Sequence, residues 1–186
     1  MAKISSSTFV SIDGVVNHME AWHFDVSSEE MGQITLEQIR ASDAMLMGRK
    51  TYDAYAGAWP QRTGAYPDEI NNIRKYVVST TMEKADWKNT VVLRNNVVEE
   101  VRSLKQQGGD ILMHGFGLVA NLLIKNGLLD ELHLWVHPRF AGVGTVDDML
   151  FSEGNNARLE LTGTRALDSG VVLLSYNVAG IESPES

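Results

Sequence analysis

The stretch Ala44-Met45-Leu46-Met47-Gly48-Arg49-Lys50-Thr51-Tyr52-Asp53 changes character at its middle. Four apolar residues in a row read as a short strand buried on both faces. Gly48 then breaks the run, and a helix is expected to open behind it. In an open α/β sheet, ligands bind outside the carboxyl ends of the strands. A helix N-terminus placed there offers unpaired N–H groups that favour anions. Gly48 lets the backbone approach a ligand closely. Arg49 and Lys50 can meet a phosphate, and Thr51 can cap the helix or bond a phosphate oxygen. The same residues also make a plain basic strand-to-helix turn, and spacing alone does not separate the two readings.

The pattern recurs on both sides. Lys3 to Val10 reads as a first strand, broken by the turn residues Ser11-Ile12-Asp13-Gly14. His18 to Ser28 has no period and reads as a loop. Ile34, Leu36 and Ile39 sit at helical spacing. Tyr76-Val77-Val78, Val91-Val92-Leu93 and Ile111-Leu112-Met113 are further short apolar runs. Val97, Val98, Val101 and Leu104 lie on one helical face, as do Leu118, Leu122 and Leu123. Glu131 to Val136 is another strand. Alternating buried strands and amphipathic helices imply an α/β fold with a mostly parallel sheet and helices on both faces. Arg158 to Leu167 and Val171 to Val178 flank Asp168-Ser169-Gly170, which predicts a C-terminal antiparallel hairpin. With no repeat and no linker, one domain over residues 1–179 is expected, and 180–186 reads as a flexible polar tail.

Two more turns stand at strand ends. His114-Gly115-Phe116-Gly117-Leu118-Val119-Ala120 fits a Gly-x-Gly-x-x-Ala dinucleotide fingerprint. A standard Rossmann unit would also place an acid about 20 residues on. That neighbourhood holds Val136, His137 and Pro138 instead, so a standard Rossmann domain is disfavoured. Tight helix–strand packing explains the turn equally well. Val78-Ser79-Thr80-Thr81 ends a third strand with hydroxyls suited to a ribose or its phosphate, or to a polar loop. Each turn puts small or hydrogen-bonding groups where one extended ligand could cross all three.

The 186 residues carry a formal net charge of −8. That charge argues against non-specific binding to nucleic acid or acidic membranes. There is no cysteine, which removes disulfides, thiolate metal sites and a thiol nucleophile. No signal peptide or membrane-length apolar run is seen, so a cytoplasmic protein is expected. His133, Trp135 and His137 alternate on one strand, yet no third ligand accompanies them, and no metal is expected.

Five stretches appear together in one order: Ser11-Ile12-Asp13-Gly14-Val15, Leu46 to Tyr52, Lys75 to Thr81, Asp110 to Gly115, and Gly127 to Leu132. That ordered set resembles the dihydrofolate-reductase superfamily. The branch is similar to the C-terminal reductase domain of bacterial riboflavin-biosynthesis deaminase–reductases. The resemblance implies a sheet of about eight strands with NADPH laid along its carboxyl edge, and a homodimer. It implies that Gly48, Arg49, Lys50 and Thr51 line the adenosine and phosphate portion. Ser79 and Thr80 would approach the ribose and its 2′-phosphate. Gly115, Phe116, Gly117 and Leu118 would cradle the pyrophosphate. Ser11 and Asp13 would border nicotinamide and substrate. The implied activity is hydride transfer to a small pterin-like or pyrimidine-like heterocycle, or to another carbonyl or imine.

Two stretches depart from the branch. Its second turn commonly reads Gly-Ser, where this chain has Gly115-Phe116-Gly117. The segment Phe140 to Phe151 replaces a basic residue and adds Asp147 and Asp148. Acids beside a pocket would repel a phosphorylated substrate. The pathway-specific reduction of 5-amino-6-(5-phosphoribosylamino)uracil is therefore the second reading, and a non-catalytic cofactor- or folate-binding protein the third. Reduction also needs a proton. True dihydrofolate reductases take it from a buried carboxylate on an early helix. Asp25, Glu29, Glu30 and Glu37 lie in that region, and none is singled out. Asp13 has the best motif support and is assigned to substrate positioning. Trp22, Phe24, Tyr55 and Trp59 can wall a flat heterocycle by stacking. Tyr55 and Trp59, at helical spacing, can equally be core.

Overall fold

The computed structural model describes residues 2–150 and 156–181. Strands are β1 (Ile4–Val10), β2 (Ala44–Gly48), β3 (Arg74–Val78), β4 (Thr90–Leu93), β5 (Ile111–His114), β6 (Glu131–Val136), β7 (Ala157–Ala166) and β8 (Val172–Ile181). Helices are α1 (Met19–Trp22), α2 (Glu29–Arg40), α3 (Arg49–Ala58), α4 (Ala65–Asn72), α5 (Val97–Gln107) and α6 (Leu118–Lys125). Among the described residues the strands form one sheet in the order β4-β3-β2-β5-β1-β6-β8-β7. Pairing is parallel from β4 to β6 and antiparallel at β6–β8 and β8–β7. This is the mostly parallel sheet with a C-terminal hairpin that the apolar runs predict, in a dihydrofolate-reductase-like arrangement.

The apolar runs are buried because helices cover both faces. Ile4, Met45, Leu46 and Met47 have no exposed surface. Each such side chain stabilises the fold by about 1.5–3 kcal/mol relative to exposure. Alternation divides the strands between two cores. Leu46, Ile111 and Met113 pack with Val101, Ala120 and Leu123 of α5 and α6. Met45, Met47 and Leu112 pack on the other face with Ile39, Tyr52 and Ile70 of α2, α3 and α4. No helix among the described residues is long and apolar enough to cross a membrane.

Three segments differ from the sequence expectation. Residues 18–28 hold α1 and a 3-10 turn at Phe24–Val26 rather than a plain loop. Trp22 anchors them, 1% exposed, with its indole N–H donating to the Asn17 carbonyl at 2.9 Å. A four-residue helix is too short to show a period. Helix α4 is a second addition to the elements that the periodicity predicts. Pro67 lies in its first turn, where a missing N–H costs nothing, and Ile70 and Asn71 are buried. Finally, β8 runs on to Ile181, so Gly180 pairs with Arg158 and belongs to the sheet. Phe151 and residues 182–186 lie outside the described residues.

Candidate functional site

The first turn forms as its residues dictate. Helix α3 begins at Arg49, directly after Gly48. Thr51 does not cap it: Gly48 is the N-cap and makes no side-chain cap bond. Instead the Thr51 hydroxyl lies within clash distance of a β-carbon built on Gly115. A β-carbon on Gly48 would approach Val119 Cγ2 of α6 at 3.3 Å. The first and second turns are therefore in direct contact, and glycine is what permits it at Gly115, where φ is +80°.

The two helices that meet here are open at their N-termini. Neither α3 nor α6 has a side-chain cap or an acid in its first turn. By contrast, α2 is capped by Ser28 and carries Glu29 and Glu30, and α5 is capped by Asn96 and carries Glu99 and Glu100. Unpaired amides and the positive dipole end thus remain available on α3 and α6. Leu118, at the start of α6, is 90% exposed, while Phe116 packs against the core beneath the turn.

The third turn joins the same edge. A cavity of about 490 Å³ is lined by Arg49 and Asp53 of α3 and by Thr81, Glu83, Lys84 and Asp86 of the β3–β4 connection, with neither Ser79 nor Thr80 in its lining. Arg49 Nε donates to both Asp53 carboxylate oxygens, at 2.8 and 2.7 Å, which tempers its charge. Lys50 is exposed beside it. Ser79 is 6% exposed, and its hydroxyl accepts the Met82 N–H at 3.1 Å, so the turn itself uses that oxygen. Thr80 is the exposed hydroxyl of the pair.

At the end of β1, Ser11 and Asp13 are bound to their surroundings. Ser11 Oγ donates to Asp13 Oδ1 at 2.5 Å and accepts the Val15 N–H at 2.9 Å. Asp13 also accepts the N–H groups of Ala141 at 2.9 Å and Gly142 at 3.2 Å. These bonds, led by the Ser11 hydroxyl, hold its carboxyl down at about 2. Asp13 is therefore a carboxylate that fixes the 140–144 loop and has no proton to give near neutral pH. The loop is fastened a second time, where Asp148 accepts from Asn17 and from the Thr145 N–H, and Val16 N–H donates to the Asp148 carbonyl.

The aromatic residues divide. Trp22 is buried edge-on to His137, with centroids 5.0 Å apart, and presents little surface to any ligand. Phe24 is 68% exposed. Tyr55 is half-buried, and its hydroxyl lies 3.1 Å from His114 Nδ1. Trp59 stands edge-on to Tyr55 at 6.1 Å. Sequence reasoning gives His114 only a structural place, and its position directly before the glycine turn is the signal that could link it to the site. A second imidazole, His137, is fully buried and lies 2.9 Å from His23 Nδ1. His133 Nδ1 lies 2.9 Å from the Ser175 hydroxyl.

The early acids all point elsewhere. Asp25 pairs with Arg139 and Glu30 with Arg165, while Glu29 and Glu37 are exposed.

Known proteins share this arrangement. A solved structure of a candidate riboflavin-biosynthesis protein from Shewanella sp. PV-4 superposes with a TM-score of 0.74 at 20% identity, covering 96% of this chain and 99% of that one. Dihydrofolate reductase from Enterococcus faecalis, complexed with NADP(H), superposes with a TM-score of 0.64 at 14% identity, covering 95% and 96%. At these identities the likeness is one of fold. In sequence, the uncharacterized protein YyaP of Bacillus subtilis (strain 168) is 29% identical over 144 residues, 74% of this chain and 75% of that one. The family model described as RibD C-terminal domain matches residues 2–173, a span that takes in all three glycine and hydroxyl turns, and the chain belongs to that family.

Proposed function

We propose that the protein is an NADPH-dependent reductase of a small heterocyclic substrate, pterin-like or pyrimidine-like, or of another carbonyl or imine. The observation that carries this reading is the contact between Thr51 and Gly115. It brings two uncapped helix N-termini together, and the first of them, that of α3, borders the cavity that Arg49 and Lys84 line. A pyrophosphate fits the paired helix ends, and Arg49 and Lys84 are the cations open to a 2′-phosphate in a cavity that also carries Asp53, Glu83 and Asp86. Family membership supports the same reading.

In this proposal Gly115, Phe116, Gly117 and Leu118 hold the pyrophosphate through backbone N–H groups. Gly48, Arg49, Lys50 and Thr51 take the adenosine side, with Thr80 at the ribose and Ser79 shaping its turn. NADPH, when bound, supplies the hydride. Asp13 sets the loop that closes over the substrate end, and Ser11 sets Asp13. The chain acts as one domain whose last strand runs to Ile181, as a cytoplasmic homodimer. Asp147 and Asp148 favour a substrate without a phosphate over 5-amino-6-(5-phosphoribosylamino)uracil.

Thermal-shift titration with NADPH and NADH tests the cofactor. A ligand that binds the folded state alone raises its stability, and NADPH should give the larger shift. Equal, negligible shifts would defeat the reading. Oxidation of NADPH against pterins, aminouracils and their phosphorylated forms, followed by absorbance, then separates enzyme from binding protein. Cofactor binding without turnover on any of these would favour the non-catalytic alternative.

A further inference from the structure

The sheet face covered by α2, α3 and α4 carries a polar row among its apolar residues. Register pairs Ser7 of β1 with His114 of β5 on one side and with His133 of β6 on the other. Residues paired this way project from the same face of the sheet. Ser7 and His114 are each 7% exposed. The Ser7 hydroxyl donates to Gln38 Oε1 of α2 at 2.9 Å and accepts from Trp135 Nε1 at 2.9 Å. Across the seam, His114 meets Tyr55 of α3. Thus α2 reaches the floor through β1 and α3 reaches it through β5. The seam between them ends at Gly115, where the cofactor turn begins.

A reductase needs a proton at this place. On α2, the residue that meets the seam is Gln38, an amide with no acidic proton. The acids of that region are exposed or paired outside it, Asp25 with Arg139 and Glu30 with Arg165. A carboxylic acid donor of the dihydrofolate-reductase kind is therefore missing from the seam among the described residues. A phenol is present, backed by an imidazole that directly precedes the turn.

We propose that Tyr55 is the proton donor of the reduction and that His114 is the residue that positions it. This rests on the reductase reading above. As the hydride reaches the substrate carbon, the C=N or C=O bond becomes single and its electron pair moves to the heteroatom. That atom takes the Tyr55 Oη proton, so one O–H bond breaks and one N–H or O–H bond forms. The substrate gains two electrons, supplied by the nicotinamide. The Tyr55 phenolate is held by His114 Nδ1–H and is reprotonated by water. Burial keeps both groups neutral. It pushes the Tyr55 phenol up to about 12, so the proton is present at neutral pH. It lowers His114 to about 4, so the imidazole is neutral. Tyr66, itself raised by burial and then by Tyr55, is a further titratable group near this phenol.

Two measurements test the proposal. The first uses the free protein. Nitrogen-15 NMR of the His114 ring should show the proton on Nδ1, the tautomer that leaves the Tyr55 O–H free to donate outward. A proton on Nε2, with Nδ1 accepting from Tyr55, would overturn it. The second uses the NADPH oxidation assay with whichever pterin or aminouracil the wild type turns over. Tyr55→Phe should lower kcat by about 10²-fold or more and leave NADPH affinity within about twofold. His114→Asn, whose amide can replace the Nδ1–H donor, should retain more kcat than His114→Ala. A Tyr55→Phe variant with kcat within about twofold of wild type would also overturn it. If NADPH fails to bind the wild type, the reductase reading falls. If NADPH binds and turns over while Tyr55→Phe is unaffected, only the donor assignment falls.

Discussion

Thr51 and Gly115 crowd one another: the Thr51 hydroxyl lies within clash distance of where a β-carbon on Gly115 would stand. These residues belong to separate strand-to-helix turns, 64 positions apart in the chain by their numbers, so their contact is tertiary.

Gly115→Ala should therefore be costly twice over. At φ +80° an alanine is strained, and its methyl group meets Thr51. The variant is expected to lose about 2–4 kcal/mol of stability, combining backbone strain with overpacking. Thr51→Ala removes the colliding oxygen. In urea denaturation the double variant should be less destabilised than the sum of the singles by about 1 kcal/mol. Strict additivity would mean that the two turns do not touch.

Gly117 separates backbone strain from steric contact. It is the N-cap of α6, and a β-carbon there meets nothing within 4 Å. Aspartate is a good N-cap and complements the helix dipole. At φ +154° and ψ −144° the backbone there is one that only glycine adopts readily, so Gly117→Asp should cost the free protein about 1–3 kcal/mol, which capping offsets in part. The same carboxylate would face the pyrophosphate, and NADPH affinity should fall by about tenfold or more, on the order of 1.4 kcal/mol. Unchanged affinity in a folded variant would remove the second turn from the cofactor site.

The sheet was legible in the sequence because its strands are short runs buried on both faces. Met45-Leu46-Met47 and Ile111-Leu112-Met113 admit few other readings once turn residues bound them. The glycine turns were legible as places where backbone could approach something. What the sequence did not disclose was pairing at a distance. Nothing in the order of residues says that Thr51 rests on Gly115, that Ser7 and His114 share a face, or that Tyr55 reaches His114. Those relations depend on strand order, and β5 lies between β2 and β1 although the chain reaches it long after both. Asp13 shows the same limit. Its Asp-Gly motif marked a turn at the site, but its partners Ala141 and Gly142 come from a loop 128 and 129 positions away.

Lys75 is a buried cation that stabilises the frame rather than the site. Its side chain has no exposed surface, and Nζ donates to the carbonyls of Ile70, Asn71 and Ile73 at 2.9, 3.1 and 2.8 Å. It also lies over the Trp87 ring, 4.4 Å from the centroid. These carbonyls close the end of α4, where no helical N–H reaches the last turn. Lys75→Met keeps the volume and deletes the donor. It should cost about 2–4 kcal/mol, because several buried acceptors lose their partner at once. A loss below about 0.5 kcal/mol, the size of an ordinary surface change, would show that water replaces the ammonium without penalty.

Acid should weaken the fold in two separate windows. His23 is lowered to about 4, first by burial and then by His137, and His114 to about 4 by burial. Their ordinary value is 6.5. Between those limits the unfolded chain binds protons that the folded protein refuses, so stability is complete above pH 6.5 and falls as pH drops towards 4. Asp13 and Asp148 are both held at about 2 against an ordinary 3.8, Asp13 chiefly by the Ser11 hydroxyl and Asp148 by the Thr145 backbone N–H. Their contribution is present above 3.8 and is lost as pH falls through about 2. Urea midpoints measured against pH should therefore decline in both intervals. His23→Phe preserves the stack on Phe9, whose centroid is 4.4 Å away, and removes the titrating group. Although it strands His137 Nε2 and lowers stability overall, it should flatten the slope between pH 6.5 and 4. Asp13→Asn should flatten only the lower interval, and hydrogen exchange at the Ala141 and Gly142 amides should quicken because the carboxylate that holds them is gone. An unaltered upper slope in His23→Phe would mean that the His23–His137 pair takes up its proton in the folded state as readily as in the unfolded one.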